Sequence, residues 1–163
     1  MNIVIFGVSG SGKTTVGDAL ADRLRWRFTD ADYLHSAANK AKMASGEPLS
    51  DADRQGWLED VGAAMAHAKD ERRGQVVACS ALKLRYRDFL RRYDPDAVFV
   101  YLKVPHGVLE TRLKARKGHF FPPALLQDQL DTLEEPAPSE AIMVDGACGV
   151  EAVVDAIARR LEI

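Results

Sequence analysis

The stretch Asn2–Thr15, NIVIFGVSGSGKTT, decides the fold. Its first part is a continuous apolar run, as expected of a strand buried on both faces of a sheet. Its second part, GVSGSGKTT from Gly7 to Thr15, meets every fixed position of G-x-x-x-x-G-K-[ST]. Gly10 and Gly12 let backbone N–H groups converge on oxygens with no side chain in the way. Val16, Leu20, Arg23 and Leu24 then recur at helical spacing, which predicts a helix from about Lys13 to Arg25. Its positive dipole end points at the loop. Strand, loop and helix in register make this a phosphate cradle and not a chance glycine-rich turn. The expected nucleotide-binding residues are Gly7, Val8, Ser9, Gly10, Ser11, Gly12, Lys13, Thr14 and Thr15. Lys13 brings a mobile charge to the β and γ phosphates, and the Thr14 hydroxyl can ligate Mg²⁺.

Outward from that stretch, strand-like and helix-like segments alternate. RFTDAD (27–32) reads as a second strand ending in acids, and Tyr33 to about Met43 as a helix. Asp51 is placed to cap a helix carrying Trp57, Leu58, Val61, Met65 and Ala68. QVVACSA (75–81), AVFVYLKV (97–104) and AIMVDG (141–146) read as strands. Between them fall helices marked by Leu82, Tyr86, Phe89 and Leu90, by Val108–Lys117 and by Leu125–Leu133. Val150, Val153, Val154, Ile157 and Leu161 form an amphipathic C-terminal helix, and Trp57, Phe89 and Tyr93 read as core packing. The alternation implies an α/β domain with a parallel sheet covered on both faces. A chain of 163 residues suits one such domain.

Composition narrows the partners. A net charge of −2 gives no global basic field for nucleic acid or anionic lipid. The N-terminus lacks the basic start of a secretory signal, and no run approaches the ~20 apolar residues of a membrane helix. Cys79 and Cys148 have neither CxxC nor metal-ligand spacing, so both read as reduced thiols of a cytoplasmic protein. The guanine-reading N-K-x-D is absent, which favours ATP over GTP. Asp145 ends an apolar strand but lies just before the last helix, and reads as a turn residue on the base side.

Asp30 and Asp32 supply what a phosphate loop alone lacks. In extended chain, side chains at i and i+2 point the same way, so both carboxylates can face the C-terminal edge of the sheet, where ligands collect. One can hold magnesium, here Asp30, and the other, Asp32, can orient an acceptor hydroxyl for in-line attack.

The block DADYLHSAANKAKMASGEPLSDADRQGWL (30–58), followed by ACSALKLRYRDFLR, FVYLK and RLKARKGHFF, resembles the small phosphate-loop gluconokinases. The resemblance runs to about Glu134. It implies a three-layer kinase fold with a five-stranded parallel sheet, a lid at about 112–136, transfer of the ATP γ-phosphoryl to the 6-hydroxyl of D-gluconate, and a homodimer. Gly56 stands where the family usually has proline, a departure expected to loosen the approach to Trp57.

Several side chains then become candidates for the acceptor. His35 lies one helical turn beyond Asp32 and can donate to a hydroxyl. Lys42, Arg54, Lys83 and Arg87 are the cations available to pair with a carboxylate. Arg54 and Lys83 are favoured, and Arg87 shares a helix face with Lys83. Arg112, Arg116 and His119 sit in a basic stretch leading into GHFFPP, which by resemblance is the lid. Arg116 is expected on the transferring phosphoryl, Arg112 near the adenine or phosphates, and His119 near the substrate. Shikimate kinase shares the phosphate loop and the D-x-D pair, but its glycine triplet after the third strand is replaced here by ACSALK. A nucleoside monophosphate kinase would need base-reading residues. A regulatory protein that only binds nucleotide is disfavoured by the presence of both the acids and the basic stretch.

Overall fold

The computed structural model describes residues 1–116 and 121–163. The five residues Asn2–Phe6 form strand β1, and all are buried. Strands β2 (Arg27–Asp30), β3 (Gln75–Ala78), β4 (Val98–Lys103) and β5 (Ile142–Asp145) complete one sheet in the order β2-β3-β1-β4-β5. Every pairing is parallel, with Ile3 of β1 opposite Val76 on one side and Val98 on the other. The crossovers are helical: α1 (Lys13–Leu24), α2 (Ala37–Ala44), α3 (Asp51–Asp70), α4 (Leu84–Arg91), α5 (His106–Ala115) and α6 (Pro123–Thr132), with α7 (Val150–Leu161) closing the chain.

The period of two along β1 splits the core. Val4 and Phe6 face a cluster with Trp57, Val61, Met65, Leu90 and Phe99, on the α3–α4 side. Ile3 and Ile5 face Val16, Leu20, Val154 and Ile157, on the α1–α7 side. A third cluster joins Val8 to Leu109, Leu113 and Leu126, so the phosphate loop itself rests on α5 and α6. Because β3 and β4 flank β1 from opposite sides, chain connections part at the C-terminal end of β1, which opens a crevice there.

Local details differ from the sequence reading where polar caps intervene. The helix expected over 33–43 is two pieces, a 3₁₀ turn Ala31–Leu34 and then α2. Asp30 accepts from the Asp32 N–H at 3.0 Å, and Ser36 Oγ accepts from the Asn39 N–H at 3.1 Å, so a second helix start interrupts the first. Helix α3 is capped by Ser50, not Asp51. The Ser50 and Asp53 side chains each accept from the other's N–H, at 3.1 and 2.9 Å, as a reciprocal capping box. Gly56 therefore lies inside an established helix and does not loosen its start; an added Cβ there would meet nothing within 4 Å.

Candidate active site

The phosphate loop has the geometry its glycines predict. Gly10 and Gly12 adopt φ of 84° and 95°, where a side chain is strained, and a Cβ on Gly10 would lie 3.2 Å from Leu113 Cγ. Gly12 is the residue from which α1 starts, so the free N–H groups of the first turn face the crevice. Lys13 lies back across its own loop, donating from Nζ to the Val8 carbonyl at 3.1 Å. Burial pushes the Lys13 pKa down; the negative charges of Asp32 and Asp30 oppose that shift, and the positive charge of Arg116 adds to it. Four charged groups drawn from α1, the end of β2, the 3₁₀ turn and the end of α5 thus act on one place.

Arg112 and Gln129 hold this loop from outside. Arg112 donates to the carbonyls of Gly10 at 3.1 Å and Gly146 at 2.7 Å, tying the loop after β5 to the phosphate loop. Asp145 makes the turn of that second loop by accepting from the Ala147 N–H at 2.9 Å. Gln129 of α6 makes a two-point contact with Ser9: its Oε1 accepts from the Ser9 N–H at 2.7 Å and its Nε2 donates to Ser9 Oγ at 3.1 Å. No local signal marks Gln129, because 120 residues separate the pair and only the packing of α6 brings them together.

The two acids take distinct positions. Asp30 Oδ2 accepts from Thr14 Oγ1 at 3.0 Å, while its Oδ1 caps the following turn. Thr14, Thr15, Asp18, Asp30 and Tyr33 share a surface groove between α1 and the end of β2. The chain leaves the strand at Asp30, so Asp32 belongs to the 3₁₀ turn and the extended i, i+2 argument fails in detail. The turn nevertheless brings Asp32 close enough for its charge to be the largest influence opposing burial at Lys13. Next to it the Cys79 thiol is buried, and burial and Asp32 together push its pKa up to about 12, so it stays protonated.

On the acceptor side the cations separate sharply. Arg87 is fully buried and uses all five donors of its fork: Nε and Nη2 reach Glu140 at 2.5 and 3.3 Å, Nη1 the Ala81 and Leu82 carbonyls, and Nη2 the Glu134 carbonyl. Its guanidinium also lies 4.6 Å from the Phe6 ring centroid. The expectation that Arg87 serves a ligand is corrected; it pins α4 to the segment before β5. Lys42 is paired with Asp53 at 2.8 Å. Lys83 meets Asp51 at 3.3 Å, and Arg85 and the Tyr86 hydroxyl also donate to Asp51. The Tyr86 hydrogen bond, with those of Arg85 and Lys83, holds the Asp51 carboxyl well below the usual range. Among the described residues Arg54 spends a single donor, to Tyr86 Oη at 3.2 Å, and keeps the rest of its fork.

His35 is buried and stacks on Trp57, with ring centroids 4.2 Å apart and planes 13° from parallel. Trp57 is core, as expected, yet its indole N–H also donates to the Ala31 carbonyl at 2.7 Å, fixing the turn that carries Asp32. Burial, then the charges of Arg54 and Lys40, push the His35 pKa down to about 4. His119 lies outside the described residues.

With this geometry in place, comparison with known proteins is informative. The family described as shikimate kinase matches residues 9–145. The chain is 46% identical to the thermoresistant gluconokinase of Escherichia coli, over 93% of this chain and 87% of that protein. It is 42% identical to the gluconokinase of Gluconobacter oxydans, over 98% and 90% of the two chains. The crystal structure of a gluconokinase from Sinorhizobium meliloti superposes with a TM-score of 0.86 at 40% identity, covering 99% of this chain and 95% of that one. A phosphate loop on a five-stranded parallel sheet, with acids at the end of β2 and in the turn after it, is the setting in which those identities fall: the chain belongs to the gluconokinase family, on a shikimate-kinase-type phosphate-loop domain.

Proposed function

We infer that this protein is an ATP-dependent gluconokinase, giving 6-phospho-D-gluconate and ADP. The observation that carries the reading is the joining of phosphate loop and acids at the C-terminal edge of the sheet: Thr14 Oγ1 donates to Asp30 at 3.0 Å, and Asp32 lies in the turn that follows, its charge acting on Lys13. In the reaction, Asp32 accepts the proton of the gluconate 6-hydroxyl as that oxygen forms its bond to the γ-phosphorus. The bond from the γ-phosphorus to the β–γ bridging oxygen breaks, and ADP leaves. Lys13 and Arg116 hold the charge on the transferring group. The loop residues Gly7 to Thr15 bind the nucleotide phosphates through backbone N–H groups.

Thr14 and Asp30 fit a hard divalent cation: two oxygens 3.0 Å apart beside the phosphate loop. Among the described residues no group of three or more His, Cys, Asp or Glu side chains could hold a metal, which suits magnesium bound mainly by phosphates and water. Such an ion supplies charge neutralisation at the β and γ phosphates.

For the acceptor, the unspent fork of Arg54 is the best match to the gluconate carboxylate, with Lys83 beside it. His35 donates to a hydroxyl. We assign the segment 112–136 as the lid of a single 1–163 domain; the contact of Gln129 with Ser9 supports its closing on the phosphate loop. Among the described residues no helix is long and apolar enough to cross a membrane, and both cysteines are free, which supports a cytoplasmic setting. The homodimer rests on the family resemblance. Coupled ADP release over a panel of sugar acids with magnesium tests the assignment. Gluconate-dependent release is expected; shikimate-dependent release, or none with any acid, would reject it.

A further inference from the structure

The acceptor wall contains a histidine whose hydrogen-bonding sense is already fixed. Asn39 of α2 is buried and makes two side-chain contacts through the same atom: Nδ2 donates to the Asp53 carbonyl at 2.8 Å and lies 3.3 Å from His35 Nδ1. An amide nitrogen and oxygen are not told apart by shape, but the Asp53 carbonyl decides between them, since only the nitrogen has a hydrogen to give it. The second hydrogen of that nitrogen then points at His35 Nδ1, which must be a bare acceptor. A neutral imidazole with a bare Nδ1 carries its proton on Nε2. The ring plane is set independently by the stack on Trp57.

Nε2 has no hydrogen-bond partner among the described residues, and it is not sealed away. The single side-chain polar atom among them that is both buried and unpartnered is Ser11 Oγ. We propose that Asn39 is a positioning residue that holds His35 as a fixed Nε2–H donor toward the acceptor ligand, so that His35 binds an oxygen lone pair and takes no part in proton abstraction. The proposal rests on the reading of His35 as an acceptor-side group.

The charges facing His35 agree with a neutral ring. Arg54 comes from α3 and Lys40 from α2, both positive, while the Asp53 carboxylate of α3 is spent on Lys42 at 2.8 Å and on the Ser50 N–H. From its own turn, Asp32 offers His35 its carbonyl, to the backbone N–H at 3.4 Å. A donor-only imidazole discriminates chemically: it accepts a hydroxyl or carboxylate oxygen and rejects an ammonium or a bare donor. It also removes His35 as a rival to Asp32 for the proton, because Nε2 already carries one and the Nδ1 lone pair is taken by Asn39.

The test is ¹⁵N NMR of the imidazoles in the full-length protein, with His35→Gln assigning the resonance. Protonated Nε2 and bare Nδ1, unchanged from about pH 5.5 to about pH 8, is the expected result. An Nδ1–H tautomer, or titration near the ordinary histidine value, overturns the proposal, and the wild-type spectrum alone decides this. Asn39→Asp offers Nδ1 an acceptor in place of a donor. It should move the proton to Nδ1 and raise KM for gluconate about tenfold, with kcat changing less. It should also give KM a histidine titration that the wild type lacks. Persistence of a neutral ring with Nε2–H and a bare Nδ1 in Asn39→Asp would show that Asn39 does not set the tautomer. If the tautomer is as proposed but His35→Gln leaves KM for gluconate unchanged, the placement of His35 at the acceptor fails while the tautomer stands.

Discussion

The two walls of the crevice are made of different material. On the phosphate side, function resides in backbone: the turn of Gly7–Thr15, three glycines at positive φ and the first turn of α1. On the acceptor side we propose that it resides in side chains brought by the 3₁₀ turn, α2, α3 and α4, each held by a neighbour: His35 by Trp57 and Asn39, and Arg54 by Tyr86. A backbone cradle needs a short contiguous sequence. A side-chain wall needs several elements docked correctly, and its members are interchangeable in sequence until docking decides between them.

The largest effect tests where the walls meet. Asp32→Ala should lower kcat with gluconate by roughly 10²–10⁴-fold while ATP affinity changes little, as expected for loss of a general base. Steady-state kinetics with a nucleotide-binding titration check this, and near-wild-type turnover would remove Asp32 from the chemistry.

Next comes the contrast between two arginines of the acceptor side. Arg87→Met should destabilise by about 3–5 kcal/mol, because it strands the half-buried Glu140 carboxylate and the Ala81, Leu82 and Glu134 carbonyls, with Arg91 at 3.2 Å from Glu140 as partial compensation. Calorimetry should show a Tm fall on the order of 10 °C. Arg54→Ala should leave Tm nearly unchanged and raise KM for gluconate roughly 10–100-fold, as loss of a charge-assisted contact does. Reversal of these two phenotypes would break the division between structural and ligand-facing cations.

Smaller is the pH signature of His35. Its folded pKa, near 4, lies below the ordinary 6.5, so the unfolded chain binds the extra proton first as pH falls. The stability contributed by keeping this ring neutral is complete above about pH 6.5, declines down to about pH 4 and is constant below. Denaturant titrations at about pH 7.5 and about pH 5 should show a smaller difference in His35→Gln than in the wild type.

The smallest effect compares glycines on the two walls. Gly56→Ala should stabilise by about 0.5–1 kcal/mol, since it sits inside α3 with open space around it. Gly12→Ala, at φ 95°, should instead destabilise the loop and weaken ATP binding. Thermal melts and nucleotide titrations measure both.

What the sequence determined by itself follows from contiguity. The run NIVIF, the loop motif and the alternation of strand and helix patterns dictated a parallel α/β sheet with a phosphate cradle after β1, because each is a local property of a few residues. The acids at 30 and 32 and the block to Leu58 named the acceptor side by resemblance. Tertiary structure decided what depends on distance in the chain. Arg54 and Arg87 look alike in sequence, yet packing of α4 against the segment before β5 buries one, while the other stays half-buried with a hydrogen bond to Tyr86. Gln129 meets Ser9 only once α6 is docked, and Asn39 acquires its role only because Asp53 and His35 converge on a single amide nitrogen. Local backbone preference writes the cradle into sequence, whereas the meaning of a charged or amide side chain is set by which partners the folded chain leaves it.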